Sequence, residues 1–327
     1  MINTDKEELL IRICRLYYEQ NVSQDVIAKK FHLSRSYISK LLKEATQLGL
    51  VEIRIKDSLQ GESELETSLR NRFGLKKAII VPVVTQQFEK KLDAIGTTVG
   101  RFLHNILSDD DIIGISWGLT LAACAKRLIK KDLNNVKIIQ LKGGLPHMEE
   151  FDRMNEIARL FVEAYKAEAH FLPLPLIVDS AEIKNAILQD RKIQSILKLG
   201  VDANIVLFAV GEFDVNSALV RSGYFSHEDV ERLLAKGVVG DACGRLIDIN
   251  GTIIAKEYDE RTIGIPLSQL KNKEYSILIA AESKSVKGVY GALEAKYANV
   301  FIADEYTAKE IVKLDEKMRN SHGVNGE

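Results

Sequence analysis

Over residues 5–50 apolar positions recur at helical spacing. In LLIRICRLYYE, Leu9, Ile13, Leu16 and Tyr17 share one helical face. Asn21-Val22-Ser23 breaks that pattern, and Ser23 is placed to cap a second helix with Asp25 in its first turn. Val26, Ile27 and Phe31 make the apolar face of this short helix. His32-Leu33-Ser34 forms a tight connection, and Ser34 caps a third helix lined by Ile38, Leu41, Leu42, Ala45 and Leu48. Gly49 suits the residue just past its end, where a left-handed backbone closes a helix. VEIRIK, residues 51–56, then alternates apolar and charged with period two and predicts a half-exposed strand.

Residues 57–61 are polar, a candidate linker, and 62–73 are amphipathic, with Leu65, Leu69 and Phe73 on one face. The expected division is a domain over 1–56 and a second over 57–327, with 57–75 as linker and linking helix. Beyond it the pattern changes. Short apolar runs alternate with helical stretches: 78–84, 111–117, 136–141, 203–210, 274–281 and 299–304. Runs without polar alternation predict strands buried on both faces, hence an α/β fold with a parallel sheet covered by helices.

Composition changes this picture little. A chain of 327 residues, 46% hydrophobic and 28% charged, is that of a soluble protein of two or three domains. The three cysteines, Cys14, Cys124 and Cys243, are far apart and without CxxC spacing, which argues against a disulfide framework or a zinc site. MINTDKEELL has no apolar signal core, and no apolar run nears the roughly 20 residues a membrane helix needs. A reducing, cytoplasmic setting is expected. The net charge of -1 leaves room for a small basic module on a neutral body.

That module lies between Ser23 and Gln47. Lys29, Lys30, Arg35, Lys40 and Lys43 form a cationic strip with no acidic residue between Lys29 and Lys43. Two helices joined by a turn, the second basic and outward-facing, match a helix-turn-helix, with VEIRIK (Arg54, Lys56) as a wing. Cations hold the phosphates, while short polar side chains reach base edges in the major groove. The candidate DNA-facing set is Ser23, Gln24, Arg35, Ser36, Tyr37, Ser39, Lys40 and Lys43. The alternative is a trihelical interaction module with a solvated charged face.

LYYEQNVSQDVIAKKFHLSRSYISKLLKEATQLGLVEIRI resembles the DNA-binding region of SorC-type sugar-binding regulators. The resemblance continues, in order, through GISWGLTLAACAKRL, IIQLKGG, FLPLPLIVD, VVGDACGRLID, ERTIGIPL and GALEAKYANVFIADE. LKGG, LPLP and RTIGI are most similar to the branch controlling deoxyribonucleoside catabolism. The resemblance implies a doubly wound, Rossmann-like sensing domain related to sugar-phosphate isomerases. It also implies a phosphorylated-sugar effector, homo-oligomers (dimer or tetramer), operator DNA as partner, and a repressor relieved by the sugar.

In open α/β sheets ligands sit beyond the carboxyl ends of strands. After the run at 111–117, Ser116, Gly118 and Thr120 open a helix and suit a phosphate or sugar hydroxyls; a plain capped turn is the alternative. After 136–141 comes Lys142-Gly143-Gly144. A desolvated lysine there has a lowered pKa and attacks an aldehyde to form a Schiff base; an ordinary ionic lysine is the alternative. The branch resemblance points to deoxyribose-5-phosphate, with another sugar phosphate as runner-up. Asp241 is a candidate for sugar hydroxyls and Arg261 for phosphate, against structural turn and salt-bridge roles. Lys284 stands where the family usually has Gly-Gly and then a basic residue; Ala281-Glu282-Ser283 departs from that and brings Lys287 into consideration. His104, His147 and His170 lack metal-ligand spacing, and no metal or catalytic residue is expected. An aldolase or isomerase is the remaining reading; a helix-turn-helix has no purpose in one.

Overall fold

The computed structural model describes residues 4–51, 62–83, 87–145, 148–281 and 283–323. It divides into two compact units, 1–61 and 62–327. The expected wing strand, including Arg54 and Lys56, and the linker at 57–61 fall outside the described residues.

The described residues of the N-terminal unit form three α-helices. α1 (Thr4–Cys14) runs into a wider turn at Arg15–Glu19, followed by α2 (Gln24–Phe31) and α3 (Arg35–Gln47). Ser23 and Ser34 cap α2 and α3, accepting from the amides of Val26 and Tyr37 at 3.4 and 3.2 Å. His32 turns the chain between them in the left-handed conformation (φ 54°). Gly49, at φ 73°, lets Leu50 and Gly49 donate back to Ala45 and Thr46, which closes α3 without an exposed end. Leu10, Ile13, Ile27, Ile38, Leu41, Leu42 and Ala45 form the core. Two expectations change. Val26 is 54% exposed, because α2 turns Ile27 and Ala28 inward instead. Leu48, the end of α3, is also exposed.

The C-terminal unit begins with α4 (Glu64–Phe73) and β1 (Lys77–Val81), then α5 (Phe88–Ile106), β2 (Ile112–Ile115), α6 (Leu119–Ala125) and β3 (Lys137–Gln140). It continues through α7 (Met148–Tyr165), β4 (Glu168–His170), α8 (Ala181–Ile187), α9 (Arg191–Asp202), β5 (Ile205–Phe208) and β6 (Val210–Gly211). After these come α10 (Ala218–Arg221), α11 (His227–Ala235), β7 (Gly240–Ala242), β8 (Arg245–Ile247) and α12 (Lys256–Asp259). β9 (Tyr275–Ala280), α13 (Val286–Glu294), β10 (Val300–Asp304) and α14 (Glu305–Gly323) complete it. α4 is part of this body: Leu69 and Phe73 are buried in its core, and Glu66 accepts from the Ile80 amide at 2.8 Å.

Seven parallel strands lie in the order β1-β10-β9-β5-β2-β3-β4. All six apolar runs are strands of this sheet. Within each run successive residues go to opposite faces. Ile113, Ile115, Ile138, Ile205 and Leu207 meet α5, α6 and α7 on one side, through Ile95, Leu121 and Phe161. Ile139, Leu141, Val206 and Phe208 meet α4, α13 and α14 on the other, through Leu69, Val289 and Ile311. Burying each such side chain stabilises the fold by about 1.5–3 kcal/mol, and the polar residues buried in the strands, Gln140, Ser276 and Asp304, are each hydrogen-bonded.

The path of the chain places the site. From β2 it steps through β3 and β4 to one edge, then returns to lay β5 on the other side of β2. The reversal opens a crevice beyond the carboxyl ends of β2 and β5. Over it sits a small antiparallel sheet, β6-β7-β8, which joins the main core through Val210, Ala242 and Ile247 and a separate apolar cluster (Phe213, Leu219, Phe225, Val230, Leu233 and Tyr258) through Leu246.

Candidate functional site

Lys142 lies two residues beyond β3, beside this crevice, and is only 4% exposed. Its ammonium is 3.9 Å from the centre of the Trp117 ring and 3.9 Å from Asp241 Oδ2. A carboxylate and the negative face of an indole thus meet one buried amine. Trp117 comes from the turn after β2, and its Nε1 donates to the carbonyl of Gly143 at 3.0 Å, which fixes the ring. Asp241 comes from β7. Its Oδ1 accepts from the Gly244 amide at 2.5 Å, leaving Oδ2 toward Lys142.

The segment 240–244 is half of a hairpin. β7 and β8 are joined by Cys243 and Gly244, both at positive φ (48° and 86°), the geometry of a tight two-residue turn. The turn carries the Cys243 thiol into the site, beside Ser116. Burial pushes that thiol up to about 11, with Lys142 and Arg245 pulling it partly back. It therefore stays protonated near neutrality. Arg245, itself buried, donates to the carbonyls of Cys243 (3.1 Å) and Gly264 (3.3 Å) and so supports the rear wall.

Gly143 answers to the protein's own packing. A Cβ on Gly143 would lie 2.5 Å from the Pro175 carbonyl oxygen and 2.7 Å from that of Leu174, so the close neighbour is the protein's own 174–175 loop. Gly144 pairs with that loop through its amide and carbonyl. Lys142 itself pairs with Gly264 across an isolated antiparallel bridge, which holds its backbone on both sides.

Ser116 is buried at the end of β2, and Gly118 (φ 138°) begins α6, with Thr120 half-exposed in its first turn. Lys284 is a rim residue after β9, its side chain 71% exposed and 4.0 Å from Glu212. Lys287 is exposed in the first turn of α13. Glu282 and His147 lie outside the described residues. Arg261 is tied into the fold, donating to the carbonyls of Glu257, Val178 and Asp179 and stacking 4.8 Å from the Tyr258 ring. Among the described residues no group of three or more His, Cys, Asp or Glu is arranged to hold a metal, and no helix is long and apolar enough to cross a membrane. Trp117, Cys243 and Arg245 are the site residues that sequence reasoning missed. The sole tryptophan of the chain, in the turn after a buried strand, was the one available signal.

On the N-terminal unit, Ser23, Arg35, Ser36, Tyr37, Ser39, Lys40 and Lys43 are exposed and Gln24 is half-exposed. Ser36, Tyr37, Lys40 and Lys43 share one outward face of α3. Lys29 and Lys30 are exposed at the end of α2, so the strip of five cations faces water throughout.

Residues 57–313 match the family described as "Putative sugar-binding domain". Over 311 residues the chain is 37% identical to the deoxyribonucleoside regulator of Bacillus subtilis (strain 168), spanning 95% of this chain and 99% of that protein. It is 29% identical to the sorbitol operon regulator of Klebsiella pneumoniae, spanning 96% and 100%. The crystal structure of the full-length sorbitol operon regulator SorC from Klebsiella pneumoniae is similar at a TM-score of 0.76 and 30% identity, covering 94% of this chain and 99% of that one. With most of the chain inside the family match and the likeness running nearly end to end, the chain belongs to the SorC-type family of sugar-binding transcriptional regulators.

Proposed function

We propose that the chain represses deoxyribonucleoside catabolism genes by binding operator DNA through α2 and α3 as a helix-turn-helix, and leaves the DNA when deoxyribose-5-phosphate occupies the Lys142 site. The observation that carries this reading is the buried Lys142 ammonium between Trp117 and Asp241 at the sheet crossover. The 37% identity to a deoxyribonucleoside regulator supports the choice of sugar.

Chemically, the Lys142 nitrogen adds to C1 of the open-chain sugar, the carbonyl oxygen leaves as water with two protons from the ammonium, and a protonated C=N bond replaces C=O. The positive charge is retained, so Asp241 and the Trp117 face keep their partner. Ser116 and Asp241 are offered to sugar hydroxyls. Gly118, Thr120 and the rim Lys284 or Lys287 are offered to the phosphate. The sugar shifts a homo-oligomer (dimer or tetramer) between two arrangements only by binding one more tightly. Likeness to a sorbitol operon regulator favours, as the second reading, the same site taking another phosphorylated sugar.

Borohydride reduction in the presence of deoxyribose-5-phosphate is expected to leave a stable secondary amine on Lys142, located by peptide mass spectrometry, and the sugar to weaken operator binding. Absence of both an adduct and any change in DNA affinity would overturn the proposal.

A further inference from the structure

A second cleft, of about 520 Å³, backs onto the Lys142 site through Arg245. It shares Ile253, Asp259, Lys271 and Tyr297 with an adjoining one of about 580 Å³. One wall is apolar, with Leu197 and Val201 of α9 facing Ile265 and Pro266. The other is cationic. Together the two clefts are lined by four bases (Lys184, Arg245, Lys256 and Lys271) and two acids (Asp259 and Glu260).

The charges do not cancel locally. Asp259 Oδ1 already accepts from Arg245 Nε at 2.9 Å. Lys184 reaches only the backbone carbonyl of Asp259, at 3.0 Å. Burial, and next the Arg245 guanidinium, pull the Lys184 ammonium below its ordinary value, while Asp259 and Glu260 act the other way. Lys271 stands 5.2 Å from the Tyr297 ring, at the seam of the two clefts. Like charges gathered in a half-buried cleft are unfavourable until an anion joins them. The apolar wall beside them would hold the body of such an anion.

We propose that this cleft is a second ligand site, distinct from the Lys142 pocket, for a small organic anion carrying an apolar body. Lys184 and Lys271 hold the anionic group, and the wall of α9 and Ile265-Pro266 takes the remainder. Unlike the Lys142 reading, it requires no aldehyde and no covalent bond.

The test is fluorescence titration of the full chain with 8-anilinonaphthalene-1-sulfonate, beside its neutral analogue N-phenyl-1-naphthylamine. Saturable binding of the sulfonate is expected. Removing both charges (Lys184→Gln with Lys271→Gln) should weaken it roughly tenfold or more, about 1.4 kcal/mol. The double arginine variant (Lys184→Arg with Lys271→Arg) should retain it, which separates lost charge from lost folding. Lys142→Met should leave it intact. Sulfonate binding that ignores the glutamine pair, or that the neutral dye equals, would reveal an apolar patch only and overturn the proposal. So would loss of binding in Lys142→Met, or no saturable binding at all.

Discussion

The two units handle positive charge in opposite ways. In the N-terminal unit Lys29, Lys30, Arg35, Lys40 and Lys43 all stand in water. In the C-terminal unit Lys142 and Arg245 are buried, as are Lys91, paired with Asp304 at 3.5 Å, and Lys273, which donates to the carbonyls of Gly200 and Val201. Exposed cations keep their hydration and exchange it for a polyanion along a whole face, with affinity that falls as salt rises. A buried cation is held in one place by fixed partners and can act on one atom of a small ligand. On the proposed function, one unit meets a long charged surface and the other a single molecule.

The largest effect expected from this contrast is at Lys142. Lys142→Met should abolish the borohydride adduct and the sugar response completely. Lys142→Arg should keep a cation beside Asp241 and still form no adduct, so an adduct on either variant would relocate the chemistry.

Next in size is the core of the N-terminal unit. Leu41 is buried among Leu10, Ile27 and Ile38, and Leu41→Ala should cost about 2–5 kcal/mol. Operator binding should be lost, while sugar-dependent thermal stabilisation of the C-terminal unit persists. Simultaneous loss of both would break the separation of roles.

Smaller still are the exposed cations. Lys40→Ala and Lys43→Ala should weaken operator binding and flatten the slope of log K against log salt by about 0.9 for each phosphate contact removed. Melting should hardly change, as is usual for surface substitutions, within about 0.5 kcal/mol. An unchanged salt slope would remove these lysines from the interface.

The mildest test uses acid. Asp315 in α14 is buried, which by itself would raise its carboxyl, but Arg319 and Arg72 hydrogen-bond it and hold it below its ordinary value. A carboxyl lowered in the folded state adds stability that is complete above its unfolded value and is lost as pH falls through the folded one. Ion pairs of the N-terminal unit, such as Asp25 with Arg35, are exposed on both sides and contribute little. Melting curves followed downward from neutral pH should therefore show the C-terminal unit losing acid-sensitive stability that Asp315→Asn no longer shows. Equal acid sensitivity of wild type and variant would count against that role.

Much of this molecule is legible along the chain because burial leaves few choices. Six strands announced themselves as mainly apolar runs without polar alternation, since a strand covered on both faces admits little else. Caps were readable at Ser23, Ser34 and Gly49, where the backbone needs an acceptor or a left-handed residue. Strand β4 was not, being three residues, Glu-Ala-His, at the sheet edge with only partial burial. The β7–β8 hairpin was not, because Gly-Asp-Ala-Cys-Gly has no apolar signature; its strands are held by β6 and by the packing of Ala242, Ile247 and Leu246 into two apolar clusters.

Lys142 stood out in the sequence as a lysine ending a buried strand beside two glycines, and its neighbours did not. Trp117 follows β2 and Asp241 sits in β7, so their meeting at Lys142 depends on strand order and on the fold of the small sheet above it. The same holds for Gly143, whose missing side chain makes room for a loop thirty-odd residues further on, at 174–175. Periodicity, capping and charge are local properties, written within a few residues of one another, and by themselves they determined six strands of the large sheet, the N-terminal helices with their cationic face, and the parallel α/β class. What surrounds a buried amine is a matter of which distant loops converge, and that was decided only when the sheet reversed direction between β2 and β5.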